Sequence, residues 1–249
     1  MLAMPLVIGS VAAGRPSLAS ILIPPAMVLL FLARYAALPT ATRLIKGRHL
    51  PHGHARRRFA WSAIYLAASA SLLSTAVFLA APSWRAPLVT LSAVTGLLGG
   101  TQAVLALLSL DRSLWGESIG LAGLACSAPL VMAAAGHPAD GPAWTVAALC
   151  FGYFSSSLAY VRTYRARKDG AGLTAVAACV AVHLGVLTAM IVLWWKGWLP
   201  TGGLLAWAPV LARTAWGLLR PPASLRGVGW TEMGVAMVFL SIAVVAYAT

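Results

Sequence analysis

Acidic residues are scarce in this sequence. Only 5 of its 249 residues are Asp or Glu, charged residues make up 9%, and hydrophobic residues make up 60%. A soluble domain normally carries about a quarter charged residues, so this composition excludes the soluble globular class. Within a bilayer only helices and closed barrels satisfy their own backbone hydrogen bonds. Stretches such as Leu173 to Trp195 lack the alternation of barrel strands, which predicts an all-α membrane protein.

Motifs for metal binding and nucleophilic catalysis are also lacking. Cys126, Cys150 and Cys179 lie in apolar stretches without CxxC spacing, and no Gly-rich phosphate loop, GxSxG or HExxH occurs. His49, His52 and His54 cluster, but three arginines follow them and no acid or cysteine completes a ligand set. We therefore predict no metal and no cofactor.

The apolar runs that are present divide the chain into about nine predicted transmembrane helices in one domain over residues 1–249. Charged or Gly/Pro-rich breaks separate them. The predicted spans are Leu2–Ala13, Leu18–Ala37, Phe59–Ala81, Pro87–Leu110, Ser118–Gly136, Ala143–Tyr160, Leu173–Trp195, Gly203–Leu219 and Trp230–Ala248.

The first predicted span is too short to cross a membrane. Its 12 residues give roughly 18 Å of helix, against a hydrocarbon core of about 30 Å. We therefore expect native residues upstream of Met1 to complete this helix.

The cations indicate the orientation. Fifteen of the 18 Lys and Arg residues lie in one set of alternate loops and helix ends, and the other set holds Arg15, Arg85 and Lys196. Lys and Arg resist translocation, so the basic loops are predicted to face the cytoplasm. The protein is then a multi-pass protein of the inner (cytoplasmic) membrane, with its amino terminus inside and its carboxyl terminus outside. In this interpretation the cations behind the net charge of +13 set the orientation of the protein in the membrane and do not indicate nucleic-acid binding.

Several ionisable residues near the predicted cytoplasmic face could bind a ligand. Arg34 and Arg213 lie deepest in apolar sequence, where head-group snorkelling is the alternative explanation. Arg162 and Arg165 share a helix face, which suits a phosphate, a carboxylate or anionic lipid head groups. Glu117 and Glu232 either stabilise helix amino termini or pair with arginines. The predicted ligand-binding residues are Arg34, Arg43, Arg162, Arg165, Arg213, Glu117 and Glu232.

The chain resembles the YwiC-like family of bacterial membrane proteins. The resemblance rests on Ala3–Gly9, Tyr160–Thr163, the region around Arg213 and Val228–Glu232, in this order. It implies the topology and no reaction. Members of that family typically begin with a His-Gly-Ala-Trp stretch before the first span, which this sequence lacks.

A more distant resemblance is to UbiA-type prenyltransferases, which share nine helices and this orientation. Gly47–Gly53 resembles the stretch that follows their first motif. Those enzymes need two Asp-rich motifs for Mg²⁺, whereas the first loop here has no acid and the second has only Asp169. The fold can carry over, but the catalytic carboxylates do not.

These features predict a basic cytoplasmic-side cavity that binds an anionic amphiphile, such as an isoprenoid or lipid phosphate. The expected partners are this ligand and membrane lipids. Two alternatives stay open: a prenyltransferase-type enzyme, and a small-solute transporter with His183 in mid-membrane. The sequence does not decide whether the protein is an enzyme, nor its oligomeric state.

Overall fold

The chain folds as two compact units. A computed structural model describes residues 3–47, 53–138, 140–168, 172–220 and 224–249. The first unit comprises Leu2–Ala139 and the second Asp140–Thr249. His49, His52 and Asp169 lie outside the described residues. A single domain over residues 1–249 stays a prediction.

The described residues of the first unit form six helices. Their bounds are α1 (Ala3–Ala12), α2 (Leu18–Ile45), α3 (His54–Leu79), α4 (Pro82–Leu107), α5 (Leu114–Ala125) and α6 (Ser127–Ala134). Every residue of α6 is buried, and α1, α2 and α4 pack around it. Ser17 caps α2, and its hydroxyl donates to the carbonyl of Ala134 at 2.7 Å. The centre of this unit is therefore a short buried helix.

Helix α1 approaches α6 at Gly9. A methyl group added to Gly9 would lie 2.8 Å from the carbonyl oxygen of Ala128 and 3.0 Å from its Cα. Backbone atoms of a packed helix cannot move aside easily. Only glycine therefore allows this close helix crossing.

We expect Gly9→Ala to destabilise the protein by about 1–3 kcal/mol, since overpacking a tight contact costs that much. Gly96→Ala is the matched control, because a methyl group there meets no atom within 4 Å. Alanine is the better helix former, so the control should be neutral or slightly stabilising. Unfolding in mixed detergent micelles measures both variants, and equal stabilities would contradict the contact.

In the second unit, the part of the chain that the structure describes forms five helices. They are α7 (Gly141–Lys168), α8 (Gly172–Trp195), α9 (Thr201–Leu205), α10 (Trp207–Leu219) and α11 (Leu225–Ala248). Its core contains the aromatic rings of Tyr153, Trp207 and Phe239; the ring of Phe239 lies 4.6 Å from that of Tyr153 and 5.8 Å from that of Trp207. Gly152 leaves room for Trp207 beside α7. These contacts join α7, α10 and α11.

The helices confirm a polytopic all-α membrane protein. Within the described residues, seven helical segments are long and apolar enough to cross a membrane, and α5 with α6 counts as one of them. The other two predicted spans correspond to α1, which is short, and to α9 with α10, which are separated at Ala206. Large apolar side chains such as Phe78, Leu97 and Leu173 are exposed, as lipid-facing residues are.

Two helices extend well beyond their predicted ends. Helix α2 continues past Ala37 to Ile45, and α7 continues past Tyr160 to Lys168. Hydropathy marks where the chain leaves the apolar layer, whereas a helix ends where its last carbonyls find other partners. The predicted loop Leu38–Arg58 is therefore largely helical where the structure describes it.

Candidate functional site

One face of α7 carries a continuous row of polar side chains. Tyr153, Ser157, Tyr160, Tyr164 and Arg167 recur at intervals of three and four residues, so they share a side of the helix. The first four are buried, and Arg167 is half-buried. The row faces α10 and α11, where it meets the two buried charged residues of this unit.

Arg213 on α10 and Glu232 on α11 form a buried ion pair. Arg213 Nη1 donates to Glu232 Oε1, and the side chains are only 2% and 7% exposed. The hydroxyl of Ser157 donates to Glu232 Oε2. Both carboxylate oxygens therefore accept a hydrogen bond, one from α10 and one from α7.

Two tyrosines of α7 contact this ion pair. The Tyr160 ring lies over the guanidinium of Arg213, with 4.4 Å between the ring centre and Cζ. The Tyr153 hydroxyl donates to the backbone carbonyl of Glu232 at 3.4 Å. A cation over an aromatic ring is stabilised most when water is excluded. The five residues form one network, which we call the arginine–glutamate network: Tyr153, Ser157, Tyr160, Arg213 and Glu232.

The network lies inside the helices and not at their ends. Arg213 is six residues before the end of α10, and Glu232 is seven residues after the start of α11. At about 1.5 Å per residue, both lie about 10 Å from the nearer helix end. Arg213 turns inward to Glu232, so snorkelling does not explain it, and the pairing explanation for Glu232 holds. Ionisable groups at such positions are costly and tend to be functional.

His183 lies in a second polar contact of the same unit. Its Nδ1 is 2.8 Å from the carbonyl oxygen of Cys179, and its Nε2 is 2.8 Å from the hydroxyl oxygen of Thr214. A carbonyl only accepts, so Nδ1 carries a proton and donates to it. The Thr214 hydroxyl also lies 2.9 Å from the carbonyl oxygen of Val210, to which it donates, so its one proton is shared between this carbonyl and Nε2 when the ring is neutral. The histidine thereby fixes α8 against α10 beside Arg213.

A small cleft of about 10 Å³, enough room for about one water molecule, lies next to this network. Its lining consists of Tyr160, Thr163, Tyr164, Arg167, Gly217 and Leu218. Arg167 Nη1 donates to the carbonyl of Leu218 at 2.8 Å, which anchors the guanidinium at the end of α10. A side chain at position 217 would overlap the Tyr160 hydroxyl, so only glycine fits there. Tyr160 thus belongs to both the cleft and the arginine–glutamate network.

Three of the predicted residues belong to the first unit and not to the second. Arg34 and Arg43 lie on α2 and Glu117 in the first turn of α5, all in the first unit. Arg34 is half-buried and attracted electrostatically by Asp111, and Arg43 is exposed. Glu117 occupies the helix start that the dipole explanation predicts. That these residues share one ligand site with Arg162, Arg165, Arg213 and Glu232 stays a prediction.

Arg167 is a residue that the sequence analysis missed. Arg162 and Arg165 were selected because they share a face, yet Arg167 lines the cleft and Arg165 is exposed. The available signal was the spacing of Tyr160, Thr163, Tyr164 and Arg167, at i, i+3, i+4 and i+7. Ser157 follows the same pattern one turn earlier.

The chain matches a protein-family model. The model of the YwiC-like protein family matches residues 1–132, which is more than half of the chain. The chain belongs to the YwiC-like family. Comparison with curated proteins and with solved structures gives no match.

The matched stretch of this YwiC-like chain includes the Ala3–Gly9 landmark and α1 to α5. The arginine–glutamate network and the cleft lie beyond residue 132, in the second unit. The family match does not extend to the buried ion pair, so the case for the function of this pair rests on its geometry.

Proposed function

We propose that this YwiC-like protein binds an anionic amphiphile, such as an isoprenoid or lipid phosphate, at the cytoplasmic side of the membrane. The cleft beside α7 and α10 is the observation that carries this proposal. Its walls are aromatic and aliphatic, and Arg167 lies at its edge. In this proposal the anionic head contacts Arg167 at the small cleft, and the apolar chain lies along the neighbouring helix surface.

The surrounding charge supports an anionic head group. The last turn of α7 carries Arg165, Arg167 and Lys168, and Arg162 lies one turn earlier. Cations at a helix carboxyl terminus are stabilised by the helix dipole, and a guanidinium can bind phosphate through two parallel hydrogen bonds. The head group is held directly by these cations in this proposal. No bridging metal is needed.

The orientation belongs to the same proposal. The excess of cations on one set of loops supports a cytoplasmic position for the ends of α7 and α10, with the protein in the inner membrane. Anionic lipids concentrate their charge at that surface and attract basic segments near the membrane. The cleft would then open where lipid phosphates are available.

Native mass spectrometry of the protein in nanodiscs tests this proposal. With phosphatidylcholine and a few per cent phosphatidic acid, we expect phosphatidic acid to be enriched on the protein in the presence of EDTA. Arg167→Gln should lower this enrichment about tenfold, since a hydrogen bond to a charged group contributes about 1.5 kcal/mol or more.

Lys196→Gln is the matched control, because it removes one exposed cation at the other predicted face. It should leave the enrichment unchanged. Equal losses in the two variants would show a general charge effect and contradict a cleft. Mg²⁺-stimulated release of diphosphate from a prenyl diphosphate would favour the enzyme alternative, and solute uptake by reconstituted vesicles would favour the transporter.

A further inference from the structure

Arg213 uses only part of its hydrogen-bonding capacity. A guanidinium carries five N–H donors, and Glu232 accepts from Nη1. Nε and Nη2 are fully buried and have no hydrogen-bond partner among the described residues. A buried donor without a partner costs about 1–3 kcal/mol, so it calls for an explanation.

The two remaining nitrogens form a ligand-binding edge. In a planar guanidinium, Nε–H and one N–H of Nη2 point the same way. This is the edge that binds both oxygens of a carboxylate or phosphate in parallel. We call the Nε–H and Nη2–H groups of Arg213 the fork. The fork has no partner among the described residues, whereas both carboxylate oxygens of Glu232 accept hydrogen bonds, one from Arg213 Nη1 and one from Ser157.

The fork lies next to the proposed ligand. Arg213 precedes the cleft residue Gly217 by one helical turn on α10. The Tyr160 ring covers the guanidinium and also lines the cleft. Because the cleft is small and Tyr160 is buried, a head group reaches Arg213 in this proposal only when that ring turns aside.

An anion at this fork changes the charge balance of a buried site. Arg213 and Glu232 neutralise each other, so an added oxyanion leaves a net negative charge out of water. Burying an unpaired charge is expensive, and the usual response is a change of protonation. Protonation of Glu232 would remove this net negative charge with the smallest structural change.

The surroundings of Glu232 favour this residue as the proton acceptor. Helix α7 contributes Tyr153 and Tyr160, α8 contributes Cys179 and His183, α10 contributes Arg213, and the described sequence of α9 contains no titratable side chain. Among the acids of the described second unit, Glu232 lies inside this network, whereas Asp140 lies at the start of α7. Ser157 can accommodate the proton, because a hydroxyl that donates to Oε2 can turn and accept from it.

We propose that the Nε–Nη2 edge of Arg213 binds a carboxylate or phosphate-monoester group, and that Glu232 takes up one proton from solution as the anion binds. This inference rests on the proposed anion-binding function and names the chemistry of its head group. Glu232 is a positioning residue in this site: it orients the guanidinium and compensates charge, while Arg213 contacts the ligand.

Proton uptake by the wild-type protein is the first test. Phosphatidic acid or inorganic phosphate is added to the protein in weakly buffered phosphatidylcholine nanodiscs with a pH indicator. We expect one proton to be taken up per bound anion, beyond what the probe itself takes up. Binding of phosphatidic acid alone identifies a lipid head group, and binding of both probes identifies a general phosphate site; either supports the proposal.

Two conservative variants provide the second test. Glu232→Gln keeps an acceptor for Arg213 and cannot change its charge, so its affinity should exceed that of the wild type near pH 8. The wild-type affinity should fall by up to tenfold per pH unit relative to this variant, as one linked proton requires. Arg213→Lys keeps the charge but loses the fork, so affinity should fall at least tenfold. Thermal unfolding confirms that both variants are folded.

The outcomes separate this inference from the proposed function. Binding that depends on Arg167 but is unchanged in Arg213→Lys would contradict anion binding by the Arg213 fork and would still support ligand binding at the cleft. Identical pH dependence in wild type and Glu232→Gln, or anion binding without proton uptake, overturns the role of Glu232. A wild-type protein that binds neither probe overturns both proposals.

Discussion

Replacing Arg213 by methionine is expected to destabilise the protein by about 3–5 kcal/mol. The change leaves Glu232 buried without its cation, and removing one partner of a buried pair has a cost of this size. Burial of both side chains, 2% and 7% exposed, is the reason for so large an effect. Glu232→Leu should destabilise similarly, because it leaves the guanidinium unpaired.

The double variant Arg213→Met with Glu232→Leu should recover most of this loss. Apolar residues of similar volume often replace a buried ion pair without loss of stability, because the desolvation penalty disappears with the charges. Unfolding in mixed micelles measures the four proteins of the cycle, and Arg165→Met is the control at an exposed position. Additive losses in the double variant would contradict a direct pair.

The same four proteins show whether the ion pair is needed for stability or for ligand binding. A stable double variant that no longer binds phosphatidic acid would show that the charges are retained for the ligand and not for folding. Ion pairs in membranes are costly and mark functional sites more often than structural ones. The variant therefore provides a folded protein in which only the proposed binding chemistry is missing.

The membrane architecture could be predicted from the sequence because hydropathy is a local property. Each apolar run, from Leu18 onwards, identifies a helix without any knowledge of its neighbours. The ends of α2 and α7 could not be predicted in this way, because Arg43 and Arg165 are charged yet still helical. A solvated helical turn carries no apolar signal.

The ion pair depends on a contact between different helices. The positions of Arg213 and Glu232 indicated that each is unusual, since both interrupt or border apolar sequence. Their pairing follows from the way α10 and α11 pack, which no spacing in the sequence records. The Tyr160–Arg167 face of α7 is the opposite case: its spacing was visible, and selecting cations alone missed it.

Labelling of three single cysteines is expected to divide them completely between the two sides of the membrane. A thiol-reactive, membrane-impermeant reagent added to intact cells should modify Asp140→Cys and leave Arg57→Cys and Arg165→Cys unmodified. All three positions are exposed, so accessibility depends on the side alone. The native cysteines are buried, which keeps the background low.

We expect this labelling pattern because 15 cations lie on one set of loops and helix ends and 3 lie on the other, and Lys and Arg resist translocation. Permeabilised cells are the control, in which all three cysteines should react. Modification of Arg57→Cys or Arg165→Cys in intact cells would reverse the orientation. Because Arg165 and Arg167 share the last turn of α7, protection of position 165 would place the cleft at the cytoplasmic face, where an anionic lipid head group can enter it.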